Sequence, residues 1–328
     1  MTRITIVGAG AWGTALASLY ARTGNETVLY GRDAARMAEI GTDRINARYL
    51  PAIPLPAELR TSSMAEEALA GARIVLFVVP AQSLATVCDS LAPFVPHDAL
   101  LVLCSKGIER STGRFASAIV AETFPENPVA VLSGPSFAAD VASGLPTAVT
   151  VAANGLDLAD AACERLSTDT FRCYASGDVA GVEAGGALKN VMALAAGMAI
   201  GRGLGESAKA AILTRGFVEL RRLGEALGGQ PETLMGLSGL GDLVLTCSSA
   251  QSRNFAYGMA LGRGEDRTGL KLAEGVHSAG IAARLARERG IDAPIIAVLA
   301  QILNGELSVD EAMRMLLARP LRREAETA

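Results

Sequence analysis

The sequence predicts an α/β protein in which an N-terminal doubly wound parallel sheet, residues 1–177, is followed by an all-helical domain, residues 178–328. Three observations predict it. Short apolar runs alternate with helical stretches through the first half, the pattern of strands joined by crossover helices. The first of those runs leads without a break into Gly8-Ala9-Gly10-Ala11-Trp12-Gly13. From Asp178 onward the strand signals stop, and the apolar stretches have helical length and spacing. With 328 residues the chain is long enough to bury two separate cores.

Residues 2–7 alternate and then turn wholly apolar, as a strand covered on both faces does. Each glycine after them has a mechanical use in a strand–turn–helix frame: the tight turn, the approach of a pyrophosphate to backbone, and the packing of helix on strand. The helix over 14–22 then aims its N-terminus at the phosphates. That frame makes the first half Rossmann-like, with Gly8, Gly10 and Gly13 as candidate dinucleotide contacts. Residues 26–30 form the second strand, and Gly31-Arg32-Asp33 follows at its end. A carboxylate there would bind a ribose 2′-hydroxyl; Arg32 suits a 2′-phosphate instead and favours NADP(H). Asp33 keeps NAD(H) open, or simply caps the next helix. Residues 44–59 hold Pro51, Pro54 and Pro56 and read as a surface connection. Later strands are expected at 73–79, 99–104, 129–133, 147–152 and 171–174. Pro80, Ser105-Lys106-Gly107 and Gly134-Pro135-Ser136 fall at carboxyl ends, the edge where such sheets bind ligands.

In the second half, helices are expected at 178–201, 207–227, 252–263, 274–289, 293–304 and 308–317, with a glycine-rich segment at 236–247. The run 178–201 is almost wholly small or apolar, yet it contains Lys189. A buried ammonium without a partner costs several kcal/mol, so Lys189 needs a reason. Helical side chains lean toward the N-terminus, here over Gly186 and Gly185, where bare backbone leaves room for a ligand. A proton donor fits that place. Four of the 30 basic residues are lysines, and the other 26 are arginines. Asp242 and Thr246, four apart, share a helix face and could orient an ammonium or a substrate hydroxyl. Ser252-Arg253-Asn254 opens the next helix, and an arginine with free backbone N–H groups suits a phosphate.

Composition narrows the alternatives. The net charge of -4 gives no global attraction to nucleic acid or anionic membrane. Five cysteines without a C-x-x-C spacing and two histidines do not make a zinc site, so no metal is expected. Cys104 reads as a small core residue. The first residues lead directly into a strand, and no apolar run is read as spanning a bilayer; a cytoplasmic protein without membrane insertion is the expectation.

Taken together, the glycine turn, Ser105-Lys106-Gly107, Ser133-Gly134-Pro135-Ser136-Phe137-Ala138, residues 185–191, residues 239–247, Gln251-Ser252-Arg253-Asn254 and Glu274-Gly275 occur in one order. In that order they resemble bacterial NAD(P)-dependent glycerol-3-phosphate dehydrogenases over essentially the whole chain. The resemblance implies reversible reduction of dihydroxyacetone phosphate to sn-glycerol 3-phosphate, supplying phospholipid synthesis, with Lys189 as proton donor and acceptor. It implies cofactor contacts at Ala11, Trp12, Arg32, Lys106, Ala138, Arg253, Leu272 and Glu274. Substrate contacts would be Lys106, Gly134, Ser136, Lys189, Asp242, Ser252, Arg253 and Asn254, with Asn190 and Thr246 as further contacts. A homodimer is expected for this architecture. Two other readings stand beside it: a β-hydroxyacid dehydrogenase of related architecture, and a non-catalytic NADP(H)-binding redox sensor, which has no use for Lys189.

Overall fold

A computed structural model describes residues 2–266, 270, 273–320 and 323. The chain forms two compact units. The first comprises Met1–Glu109 and Arg114–Val179, the second Arg110–Gly113 and Ala180–Ala328.

The strands of the first unit, in chain order, are β1 (Arg3–Val7), β2 (Glu26–Tyr30), β3 (Ile45–Asn46), β4 (Leu50–Pro54), β5 (Arg60–Ser62), β6 (Ile74–Phe77), β7 (Leu100–Leu103), β8 (Val129–Ser133), β9 (Thr147–Ala153) and β10 (Phe171–Ser176). Its helices are α1 (Ala11–Arg22), α2 (Ala34–Asp43), α3 (Ala65–Leu69), α4 (Leu84–Leu91), α5 (Ala116–Thr123), α6 (Ala138–Ala142) and α7 (Leu156–Leu166). Eight strands make one sheet in the order β10-β9-β8-β7-β6-β1-β2-β5. The middle strands are continuous apolar runs because helices cover both faces; Ile4, Ile6, Ile74 and Leu76 are fully buried. From β1 the chain first adds β2 on one side and later β6 on the other. The order therefore reverses at β1, and the crevice beyond the carboxyl ends of β1 and β6 is the place such a sheet offers a ligand.

Two features depart from the expected all-parallel sheet. β9 runs antiparallel to β8, pairing Ala130 with Ala153 and Ser133 with Thr150, and β10 then follows β9 in parallel. The connection explains it. α6 has five residues, about 7.5 Å of helix. It is too short to carry the chain back along a strand of about 17 Å, so β9 itself makes the return. Second, the segment expected as a plain surface connection contains the β3–β4 hairpin, pairing Ile45 with Pro54 and Asn46 with Leu50. Its prolines sit on β4, outside the main sheet, where no ladder donor is needed.

The second unit contains α8 (Val179–Gly201), α9 (Gly205–Ala226), α10 (Pro231–Met235), a π-helical turn Leu237–Gly241, α11 (Asp242–Ser248), α12 (Arg253–Gly262), α13 (Glu274–Glu288), α14 (Pro294–Asn304) and α15 (Val309–Leu317). α10, a single turn begun by Pro231, lies between the expected helices. Contrary to expectation, α8 is long and apolar enough to cross a membrane by length and composition, but 83% of its apolar window is buried inside the protein. It is the core of its unit. Glycines let neighbouring backbones press onto it: a Cβ at Gly197 would lie 2.2 Å from Phe255 O and one at Gly201 2.1 Å from Met259 O. From the other side, Cβ atoms at Gly258 and Gly262 would lie 2.2 and 2.3 Å from Leu194 O and Met198 O. α8 and α12 thus touch backbone to backbone, each through a Gly-x-x-x-Gly pair. Glu219 of α9 is buried and accepts Ile295 N at 2.9 Å and Ile296 N at 3.0 Å, closing the N-terminus of α14.

Candidate active site

Local sterics set the glycine turn after β1. Gly8 has φ +119°, and a Cβ there would lie 2.4 Å from Val78 O; a Cβ at Gly13 would lie 1.9 Å from Gly8 O. Both positions need glycine for the fold alone. At Gly10 a Cβ would meet no protein atom within 4 Å, so packing does not require glycine there, whereas a ligand lying on the backbone does. Gly10 is the N-cap of α1 with no side-chain cap, and the first turn carries no acidic residue. The first intrahelical bond is Thr14 N to Gly10 O at 2.9 Å. The N–H groups of Ala11, Trp12 and Gly13 are left at a positive helix end, which suits a pyrophosphate. These residues fit a dinucleotide.

Around the turn, Trp12 packs on Phe171 with ring centroids 6.4 Å apart, and its indole N–H is buried without a partner among the described residues. At the end of β2, Asp33 accepts Arg36 N at 3.1 Å and caps α2. That leaves Arg32 as the exposed cation, with no hydrogen bond or ion pair among the described residues. Asn46 of the unexpected hairpin donates to Ala9 O at 3.1 Å and to Thr14 Oγ1 at 2.8 Å. Sequence reasoning missed Asn46, because nothing local to residues 44–59 announces a contact with the turn.

Loops at the carboxyl ends of β6, β7 and β8 are knitted together. Ser105 Oγ donates to Val79 O at 2.6 Å, and Lys106 Nζ and Ser136 Oγ both donate to Gly134 O at 3.0 Å. Gly134, at φ +149°, has no space for a side chain, since a Cβ would lie 2.9 Å from Val149 Cα. Lys106, Gly134 and Ser136, three expected substrate contacts, therefore sit on one carbonyl. Ala138 begins α6, half-buried. Cys104 is buried with its thiol pushed up to about 12, burial being the main cause, so it is no nucleophile at neutral pH.

In the second unit Lys189 is 6% exposed and Asp242 1% exposed. Lys189 Nζ donates to Asp242 Oδ1 at 2.5 Å and to Thr246 Oγ1 at 2.8 Å, while Thr246 Oγ1 reaches Asp242 Oδ1 at 3.2 Å. The carboxylate offsets part of the cost of burying the amine. The π-helical turn ends where Asp242 begins α11. Its backbone closes on α8: a Cβ at Gly185 would lie 2.9 Å from Gly239 Cα and from Ser238 O. This corrects the sequence expectation for Gly185. The space over it is filled by protein backbone rather than left for a ligand, because the contact that fills it comes from residues more than fifty positions away.

Asn254, buried near the start of α12, donates from Nδ2 to Asn190 Oδ1 at 2.8 Å and accepts Gly275 N at 2.8 Å. It ties α8, α12 and the start of α13 together. Ser252 caps α12 by accepting Phe255 N at 3.3 Å. Arg253, the first residue of α12, is exposed, with no hydrogen bond or ion pair among the described residues. Glu274 begins α13, and Leu272 lies outside the described residues. Among the described residues no group of three or more His, Cys, Asp or Glu is placed to hold a metal.

Residues 3–159 match the family model for the NAD-dependent glycerol-3-phosphate dehydrogenase N-terminus, and residues 178–314 match that for its C-terminus. The chain belongs to this family. The glycerol-3-phosphate dehydrogenase (NAD(P)+) of Mesorhizobium japonicum is 58% identical over 322 residues, covering 98% of this chain and 94% of that protein. Its counterpart from Brucella canis is 55% identical over 323 residues, covering 98% and 99%. Among solved structures, the glycerol-3-phosphate dehydrogenase of Coxiella burnetii superimposes with a TM-score of 0.92 at 37% identity, over 97% of this chain and 99% of that one.

Proposed function

We propose that this dehydrogenase reduces dihydroxyacetone phosphate reversibly to sn-glycerol 3-phosphate with NAD(P)H, and that Lys189 handles the proton. The buried Lys189–Asp242–Thr246 network carries the reading: an amine bonded to a carboxylate and a hydroxyl, inside a long and mostly apolar helix. When bound, the nicotinamide supplies a hydride to C2 of the ketone. Lys189 gives a proton to the C2 oxygen as the hydride arrives, so one hydride and one proton convert the carbonyl to a secondary alcohol. In the reverse direction the neutral amine takes that proton back. Asp242 stabilises the ammonium, and Thr246 accepts one of its hydrogens, which fixes where the remaining hydrogens point.

From the first unit the reading takes the glycine turn for the pyrophosphate and Arg32 for a 2′-phosphate, with Lys106, Gly134 and Ser136 as substrate contacts and Ala138 as a cofactor contact. From the second it takes Asp242, Ser252, Arg253 and Asn254 as substrate contacts, and Arg253 and Glu274 as cofactor contacts. Arg253, a guanidinium on the first turn of α12 with no hydrogen bond or ion pair among the described residues, is suited to the phosphate ester. Supply of glycerol phosphate to phospholipid synthesis, a cytoplasmic location and a homodimer belong to the same proposal.

The test follows NADPH and NADH absorbance with dihydroxyacetone phosphate, using dihydroxyacetone as control. Oxidation that depends on the phosphate is expected, with NADPH preferred and the preference reduced in Arg32→Ala. Equal rates with and without the phosphate would sink the substrate assignment, and an unchanged cofactor ratio in Arg32→Ala would remove Arg32 from cofactor choice.

A further inference from the structure

We propose that Asn46 is a positioning residue for the dinucleotide, holding the Ala9–Gly10 peptide in the orientation that presents its N–H to the pyrophosphate. This deepens the assignment of the glycine turn above and rests on it. Asn46 ends β3 and is 1% exposed. Its amide nitrogen donates both hydrogens, one to Ala9 O at 3.1 Å and one to Thr14 Oγ1 at 2.8 Å. A backbone carbonyl can only accept, so the amide must face it with nitrogen and not oxygen. One side chain therefore clasps both ends of the turn: the Ala9–Gly10 peptide, and the residue whose N–H closes the first turn of α1 on Gly10 O.

The consequence follows from peptide geometry. A trans peptide is planar, and its C=O and N–H point in opposite directions. Pinning Ala9 O toward Asn46 turns the Gly10 N–H the other way. Gly10 is also the residue of the turn where a Cβ meets no protein atom within 4 Å. The other end of the Asn46 side chain supports the same reading. Its Oδ1 is buried without a partner among the described residues, an unfavourable state that the donor side must offset. The hairpin is firmly placed for this task. Arg44, in the left-handed region at φ 54°, is bonded through its carbonyl to Leu55 N at 2.8 Å and through its guanidinium to Leu59 O at 2.6 Å.

The experiment measures the NADPH dissociation constant by nicotinamide fluorescence, alongside steady-state kinetics and thermal unfolding, on the full chain. Asn46→Ala is expected to raise the Kd and the KM for NADPH about tenfold, the size of one lost hydrogen bond, with kcat at saturating NADPH and the KM for triose phosphate within about twofold. Asn46→Asp keeps the shape, replaces the donor with an acceptor beside Ala9 O, and should weaken NADPH further. Asn46→Ser keeps one donor and should recover affinity to within about threefold of wild type, even if its Tm is as low as that of Asn46→Ala. Gly10→Val is the control for the turn itself. Loss of NADPH binding in Gly10→Val with unchanged binding in both Asn46→Ala and Asn46→Asp overturns the positioning role alone. Equal losses in the Ala and Ser variants that track Tm mark a merely structural asparagine and also overturn it. Unchanged binding in Gly10→Val removes the turn as the cofactor site, and the role of Asn46 with it.

Discussion

Gly10 of the first unit and the packed helix glycines of the second serve opposite purposes. In the first, Gly10 keeps backbone clear, and the groups proposed to meet the pyrophosphate are N–H donors at an uncapped helix end. In the second, Gly185, Gly197, Gly201, Gly258 and Gly262 bring backbone against backbone, and the charge is a buried ammonium paired with a buried carboxylate. The difference decides what each region tolerates. A backbone site carries no ionised protein group and survives changes in side-chain chemistry as long as its shape persists. The lysine site, on the proposed reading, places its chemistry on one amine beside a buried carboxylate.

Substitutions can break that contrast. The largest effect is expected for Lys189→Ala: loss of general acid catalysis should lower kcat by about 10²–10⁴-fold, while NADPH binding, read by nicotinamide fluorescence, stays within a factor of two. Unchanged turnover would show that the amine is structural. Next is Asp242→Ala, which leaves the Lys189 ammonium buried without its carboxylate. A loss of about 3–5 kcal/mol in denaturant unfolding is expected. A loss below about 1 kcal/mol would mean that the pair is effectively solvated. Gly258→Ala places a methyl against Leu194 O and should cost roughly 1–3 kcal/mol.

The smallest effect concerns pH. Burial raises the Glu219 carboxyl from 4.5 to about 7, partly opposed by the bonds from Ile295 and Ile296. The folded state then holds this proton more tightly than the unfolded chain does. The stabilisation is fully present below the unfolded value near 4.5 and is lost as pH rises through about 7. Glu219→Gln cannot ionise, so its Tm should fall less than that of wild type across this window. Parallel Tm profiles for the two proteins would assign the pH dependence to other groups.

Much of this was legible in the sequence, for reasons that differ along the chain. Strands buried on both faces announce themselves by composition, so β2 and β8 were placed to the residue. The direction of β9 was not legible, because a strand's composition carries no polarity. The hairpin escaped because β3 has two residues, β4 contains Pro51 and Pro54, and neither shows a period. Lys189 stood out because a lysine in a mostly apolar helix has few explanations. Asp242 and Thr246 could be paired with each other by helical spacing, but their approach to Lys189 is a long-range contact that spacing does not encode. The role of Gly185 was misjudged for the same reason: local helix geometry shows which backbone is bare and not what comes to lie on it.

The backbone-to-backbone crossing of α8 and α12 has a consequence for protein engineering. Replacing a helical glycine by alanine is a standard stabilising step, worth roughly 0.5–1 kcal/mol where the added methyl meets nothing. Gly280 of α13, with no atom within 4 Å of the position a Cβ would take, follows that rule. At Gly197, Gly201, Gly258 and Gly262 the same substitution reverses sign, because the methyl would occupy the neighbouring helix's backbone. Gly258 lies one turn beyond Asn254 and Gly197 two turns beyond Asn190, so the crossing acts as a fulcrum for the bridge those asparagines form. A thermostabilised variant designed from helix propensity alone would pry that fulcrum open, while the same design confined to α13 would leave it closed.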